Sequence, residues 1–382
     1  MSGPRTYLAV AVLGAAAAAT AAAAETAPIQ IQSGDQSVTI QDADRPILQY
    51  VHGPELFKPY VKQLFTPGGV NVLLDSPPDH IHHHGLMFAV GMGHPAWGME
   101  GVDFWAETEA CGRQVHRAVG DTRSQARDGL ATATFSERID WAPPKADKPV
   151  AHEVRSVTVY RGAAPDATLL TWQTRLEAAE GHPSVRLSGS HYFGLGMRFI
   201  RSMDAAGPFF TPKGPVDGEV VRGDERLTAG TWCAYTAMAD GKPVTVAMFD
   251  DPKNPRPVLW FTMTKPFAYL SATVNLYREP MTLEAGKPLA FTYGVAVWDG
   301  KVEAGEIEKL YRRWLGLAAP KAEESSTKPG AGAAQKSGTS SAGGCHGLLV
   351  KPCASYRPHR LTSNRWHLWR LPLFCAAPPG KP

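Results

Sequence analysis

Short stretches rich in β-branched and aromatic residues, each bounded by Gly, Pro or Asp, recur along the chain. They predict strands at 29–32, 37–40, 45–50, 86–90, 131–140, 152–160, 167–177, 185–191, 244–249, 268–275 and 289–298. In the last of these, Leu289, Phe291, Tyr293, Val295 and Val297 share one face while Ala290, Thr292, Gly294, Ala296 and Trp298 share the other. The small residues among them predict an inner strand packed closely on both sides. Helical spacing is clearest from about residue 304 to 316, where Ile307, Leu310, Tyr311 and Trp314 fall at i, i+3, i+4 and i+7 and Gly316 is the stop. That helix should lie as a lid on a sheet. Many strands without interleaved helices predict a mainly β fold, a large β-sandwich with few helices and one C-terminal helix.

The two ends of the chain do not share this pattern. Arg5, the apolar run from Leu8 to Leu13, an alanine stretch and Ala22-Ala23-Ala24 before Glu25 have the layout of a secretory signal peptide over residues 1–24. No later segment approaches the roughly 20 apolar residues that span a bilayer. A secreted or periplasmic protein is expected, with no stable membrane span after signal cleavage. At the other end, Glu-Glu-Ser-Ser-Thr-Lys-Pro-Gly and a Gly/Ala/Ser stretch cannot bury enough apolar surface to fold. The expected organisation is therefore a single β-sandwich domain over 27–317 and a low-complexity tail over 318–382.

Setting the tail aside reverses the charge. The whole chain carries 39 Lys+Arg against 36 Asp+Glu, but residues 321–382 hold 9 against 2, which leaves 30 against 34 in residues 1–320. The folded part has no basic excess to neutralise phosphates, so nucleic acid is not an expected partner. Of the five cysteines only Cys111 and Cys233 fall in that part. They have no CxxC spacing for zinc, and either one disulfide or two buried thiols fits them.

Candidate chemistry begins at Ser76-Pro77-Pro78-Asp79-His80-Ile81-His82-His83-His84-Gly85. The prolines disfavour helix, and on extended chain His80, His82 and His84 would point to one side and His83 to the other. Such imidazoles can bind a divalent metal ion, with His80, His82 and His84 as the ligands, or act as acid and base near neutral pH. Asp79, Glu100, Asp103 and Glu107 are the carboxylates nearest in sequence. Downstream, Trp97 and Gly101-Val102-Asp103-Phe104-Trp105 place aromatics beside a carboxylate, the combination a sugar ring needs for stacking and hydrogen bonding.

The segment from Asp79 to Ala89, the Gly-Val-Asp-Phe-Trp motif and Phe249-Asp250-Asp251-Pro252-Lys253-Asn254-Pro255-Arg256 resemble the PmoA-type bacterial family, named "methane oxygenase PmoA" and otherwise of unknown function. The resemblance covers about residues 30–317. This chain departs from the family pattern at His83-His84-Gly85, where the family reads His-His-Arg-Gly, and at Asp250-Asp251-Pro252, where it reads Asp-His-Pro. Arg198 matches another family position and can supply the missing cation. The run from Pro280 to Leu289 is also similar, more weakly, to galactose-mutarotase-like supersandwich proteins. These resemblances imply a carbohydrate-active enzyme of hydrolase, lyase or epimerase type acting on a small-molecule or oligosaccharide substrate. His80, His82, His83, His191 and Arg198 would be catalytic, and Asp103, Phe104, Trp105 and Arg256 would contact substrate. A copper- or iron-dependent oxygenase, as the family name implies, and a non-catalytic sugar-binding protein are the alternatives.

Overall fold

Twenty-three strands among the described residues pair antiparallel into three sheets of ten, nine and four strands. The computed structural model describes residues 28–94, 99–164 and 166–318. The signal-peptide pattern, Trp97, the side chain of Glu100 and the chain from residue 319 onward lie outside them.

The ten-stranded sheet passes through Tyr60–Leu64, Leu86–Ala89, Gly194–Arg198, Tyr269–Thr273 and Leu259–Met263 in that spatial order. Its inward residues, among them Leu86, Phe88, Leu195, Met197, Leu270 and Ala272, meet Phe135, Val157, Leu170, Trp172, Val295 and Val297 from the nine-stranded sheet in one apolar cluster. The four-stranded sheet, Met99–Asp103, Gly91–His94, Ser184–Ser188 and Met281–Glu284, adds Met92, Leu187 and Leu283 to the same cluster. Each fully buried side chain of this kind contributes roughly 1.5–3 kcal/mol.

A buried polar network ties the two large sheets together. Arg155 donates from Nε and Nη2 to both oxygens of Glu153 at 2.8 and 3.0 Å, and from Nη2 to Gln114 Oε1 at 2.8 Å. Its Nη1 donates to the Tyr50 hydroxyl at 3.1 Å and to the Pro59 carbonyl at 2.8 Å, and Tyr50 in turn donates to Glu137. A fully enclosed guanidinium is tolerable only with its donors satisfied in this way.

Strand 289–298 behaves as its pattern predicts. Phe291, Tyr293, Val295 and Val297 face the sandwich core, while Ala296 and Trp298 face the helix Ala304–Ala318 with Ile307, Leu310, Tyr311 and Trp314. Gly294 is required there, because a Cβ would come within 2.7 Å of both Phe249 and Trp314. The strand expected at 185–191 ends at Ser188. Strand Arg113–Arg127 escaped the sequence pattern, since its second half is charged and exposed along the edge of the nine-stranded sheet. Cys111 and Cys233 are buried free thiols. Among the described residues no helix is long and apolar enough to cross a membrane.

Candidate functional site

The outward face of the ten-stranded sheet carries a second set of aromatics, including Tyr60, Trp105, Phe193, Phe261, Phe267 and Tyr269. The histidine run folds over one side of it, and not as extended chain. The His80 amide donates to the Pro77 carbonyl, the His83 amide to the His80 carbonyl and the Ser76 amide to the His83 carbonyl, each at 2.9 Å. Proline at Pro77 and Pro78 presets φ for a turn as readily as for a strand. The expected alternation of side chains is therefore corrected. His80 stacks on His83 with ring centroids 4.6 Å apart, and His82 meets their edges at 5.8 and 4.7 Å.

His84 leaves this stack and sits between two acids. Its Nδ1 is 2.7 Å from Asp75 Oδ1, its Nε2 is 2.8 Å from Glu107 Oε1, and the Tyr60 ring lies flat against it at 4.2 Å. Burial opposes a charge here, but the two carboxylates outweigh it and raise the His84 pKa above its ordinary value. Burial likewise lifts Glu107, yet the hydrogen bond from His84 and the Lys58 charge bring it down to about 2. Lys58, enclosed by its surroundings, donates to the same Glu107 oxygen at 2.5 Å. With both ring nitrogens donating, His84 has no lone pair for a metal, and His80 Nδ1 faces Asp79 at 3.0 Å. The ligand set His80, His82 and His84 is not brought to one point. Among the described residues no group of three or more His, Cys, Asp or Glu side chains is placed to hold a metal ion.

His83 is enclosed by Tyr269, Phe267 and Trp105, with ring centroids at 5.3, 5.4 and 6.3 Å. Burial, then the neighbouring charges of His82, His80, Arg198 and Lys58, push its pKa down to about 2. It is a neutral ring at any working pH. Arg198 is buried below this loop, its guanidinium 3.7 Å over the Phe267 ring and within 3.9 Å of Asp79 and 3.8 Å of Asp204. It holds the loop from beneath, with a side chain that is 2 % exposed. Phe104 and Trp105 are each 1 % exposed, Phe104 packing on Trp141 at 5.0 Å and Trp105 on Phe193 at 5.1 Å. The stacking surface expected of these two is corrected accordingly: both are core.

Ring contacts run from His83 to Trp105 at 6.3 Å, to Tyr192 at 5.2 Å and to His191 at 5.0 Å, where the face opens. A cleft of about 500 Å³ lies there, lined by Gly91, Gly101, Asp103, Arg186, Ser188, Ser190, Phe193 and Tyr277 among others. Its floor is the outward face of the four-stranded sheet. Ser188, Gly91 and Asp103 lie opposite one another on adjacent strands, and Arg186 stands two residues from Ser188 on the same face. Tyr277, 57 % exposed, forms a wall and meets the His191 ring edge-on at 5.9 Å. His191 Nε2 is 3.1 Å from Glu225 Oε2, which fixes a proton on that nitrogen and leaves Nδ1, 3.3 Å from Ser190 Oγ, as the acceptor. Burial lowers the His191 pKa despite the Glu225 charge, so the ring is neutral at pH 7. Asp103 holds its position by accepting the Trp105 and Ala106 amides at 2.6 and 3.2 Å.

Arg256 does not reach the cleft. It donates to the carbonyls of Val274 and Glu279 at 3.1 and 2.6 Å, and so clamps both ends of the loop that presents Tyr277. Sequence reasoning missed Asp75, Lys58, Glu225, Arg186 and Tyr277. Asp75 alone had a local signal, an acid just ahead of the Pro-Pro turn; the others depend on long-range pairing.

The model of a family described as "Family of unknown function (DUF6807)" matches residues 37–312. The PmoA-type resemblance finds no counterpart in these findings, and no curated protein matches the chain. Among solved structures, the galactosidase domain of an α-galactosidase-sucrose kinase matches with a TM-score of 0.46 and 9 % identity over 71 % of this chain and 42 % of that one. An α-galactosidase from Lactobacillus brevis matches at 0.44 and 6 % over 75 % and 42 %, and a putative aldose 1-epimerase from Klebsiella pneumoniae at 0.42 and 11 % over 76 % and 86 %. The chain spans about two fifths of the length of the galactosidases.

Proposed function

We propose, for a chain that belongs to the DUF6807 family of unknown function, a carbohydrate-active enzyme of hydrolase, lyase or epimerase type that binds a sugar in the cleft beside His191. One observation carries the reading: the exposed Tyr277 that walls an open cleft packs edge-on, at 5.9 Å, against the neutral, Glu225-oriented ring of His191 just behind it. The tyrosine offers a face for the C–H side of a pyranose, while Ser188, Ser190 and Asp103 offer hydroxyl and carboxylate partners. His191 Nδ1 takes a proton from a hydroxyl or from a carbon beside a carbonyl, and Glu225, held by Arg222 at 2.6 Å, stabilises the imidazolium that results. The histidine loop then serves as the rigid wall behind Trp105 and Tyr192 instead of supplying the reacting group. With the signal-peptide pattern of residues 1–24, the reading places this chemistry outside the cytoplasm.

A glycan array followed by turnover assays tests it. On a sugar that binds, His191→Ala should lower kcat/KM by about 10²- to 10⁴-fold, while Tyr277→Ala should weaken binding by roughly three- to tenfold. A His191→Ala protein that binds as before, with no turnover found in the wild type, would instead establish a non-catalytic sugar-binding protein, for which the same Tyr277 wall suffices.

A further inference from the structure

Arg186 is exposed on the cleft floor and, among the described residues, forms no ion pair and no side-chain hydrogen bond. That is unusual in this molecule, where Arg113, Arg117, Arg155, Arg161, Arg222 and Arg278 are all engaged. The carboxylate that shares its cleft does not neutralise it. In the register of the small sheet, Asp103 lies across Gly91 from Ser188, two strand spacings or roughly 10 Å away, and Arg186 is a further two residues along the strand, roughly 7 Å. The floor between them is kept low by Gly91, whose absent Cβ would stand 3.0 Å from Ser188 Oγ. A positive and a negative group are thus held apart across a gap of the width of one or two sugar rings, with a hydroxyl between them and an aromatic wall beside.

We propose that the cleft selects a saccharide bearing a carboxylate, a uronic acid residue, and that Arg186 is the residue that reads it. The guanidinium fork matches a planar carboxylate with two parallel hydrogen bonds, a geometry a lysine or a serine cannot offer. Asp103 and Ser188 take the ring hydroxyls, and Asp103 repels a carboxylate presented at its own end, which fixes the orientation of the bound sugar. This inference rests on the carbohydrate reading of the same cleft.

Titration calorimetry with the full chain distinguishes the two. The probes are the methyl glycosides of glucuronic and galacturonic acid and of their neutral counterparts glucose and galactose, with the corresponding disaccharides. One uronide should bind at least tenfold more tightly than its neutral partner at low salt, with the gap narrowing as salt is added. Arg186→Gln should reduce that ratio by about ten- to a hundredfold, and Arg186→Lys should restore part of it. Melting curves check that both variants fold, as expected for an exposed side chain. A wild type that binds neutral sugars as well as uronides overturns the inference and leaves the carbohydrate reading standing. So does a preference that survives in Arg186→Gln. A wild type that binds none of these sugars overturns both.

Discussion

Glu107 accepts hydrogen bonds from Lys58 and His84 on a single oxygen, in a place where neither cation has water to fall back on. Its own pKa is held near 2 for that reason. Replacing it with Gln keeps the shape and removes the charge, so an enclosed ammonium and an imidazolium lose their shared counter-ion. Removing one partner of a buried pair costs roughly 3–5 kcal/mol. Glu107→Gln should therefore lower the urea midpoint markedly, and His84 should turn neutral, visible as an upfield shift of its ring protons by NMR. A variant as stable as the parent would mean that the pair is balanced by something other than this carboxylate. The histidine motif was visible in the sequence as a cluster, and the structure does gather it, but its division of labour was not. Four imidazoles within five positions carry no local sign of which will meet Asp75 and Glu107 and which will be enclosed by Trp105 and Tyr269.

At the level of elements, periodicity served best where an unbroken apolar face is buried. Strand Leu289–Asp299 and helix Ala304–Ala318 were legible because Phe291, Tyr293, Val295 and Val297, and then Ile307, Leu310, Tyr311 and Trp314, repeat with the right period. Strands such as Met99–Asp103 and Met281–Glu284 were not, since they are only five and four residues long and carry too few apolar positions to set a period. The cleft wall shows the same limit. Nothing in the sequence links Arg256 to Tyr277, yet Arg256 bonds to the chain on both sides of it. Arg256→Ala should leave the core untouched and let the loop open. An affinity loss of about three- to tenfold is expected from the smaller fraction of closed loops, with a melting temperature close to the parent's. Sugar binding by calorimetry and peptide-level hydrogen exchange over residues 274–280 would show it. Unchanged exchange there, together with weaker binding, would place Arg256 against the ligand itself.

The whole molecule inherits a pH dependence from rings it keeps neutral. Burial holds His83 at about 2 and, with the charge on His116, His52 at about 4. An unfolded chain protonates both near pH 6.5. Below that pH the unfolded state binds more protons than the folded one, so stability present above pH 6.5 is lost as the pH falls towards 4. Each proton adds about 1.4 kcal/mol per pH unit to the slope, and the pair about 2.7. His84, with its raised pKa, acts in the opposite sense, and its contribution is full below pH 6.5 and fades as the pH rises through its folded value. Urea midpoints at pH 7, 6 and 5 should fall steeply, and His83→Phe should lower the slope by up to about 1.4 kcal/mol per pH unit; an equal slope in the variant would assign the acid sensitivity elsewhere. The small sheet has a different kind of consequence. Met92, Leu187 and Leu283 bind its inner side to the core, while Arg186 and Ser188 stand on the outer side, away from that core. Recognition and foldability are thus written on opposite surfaces of one thin layer. Relatives of this chain can diverge in what they recognise through a few outward substitutions, and a protein engineer can retarget the layer in the same way without renegotiating the interior.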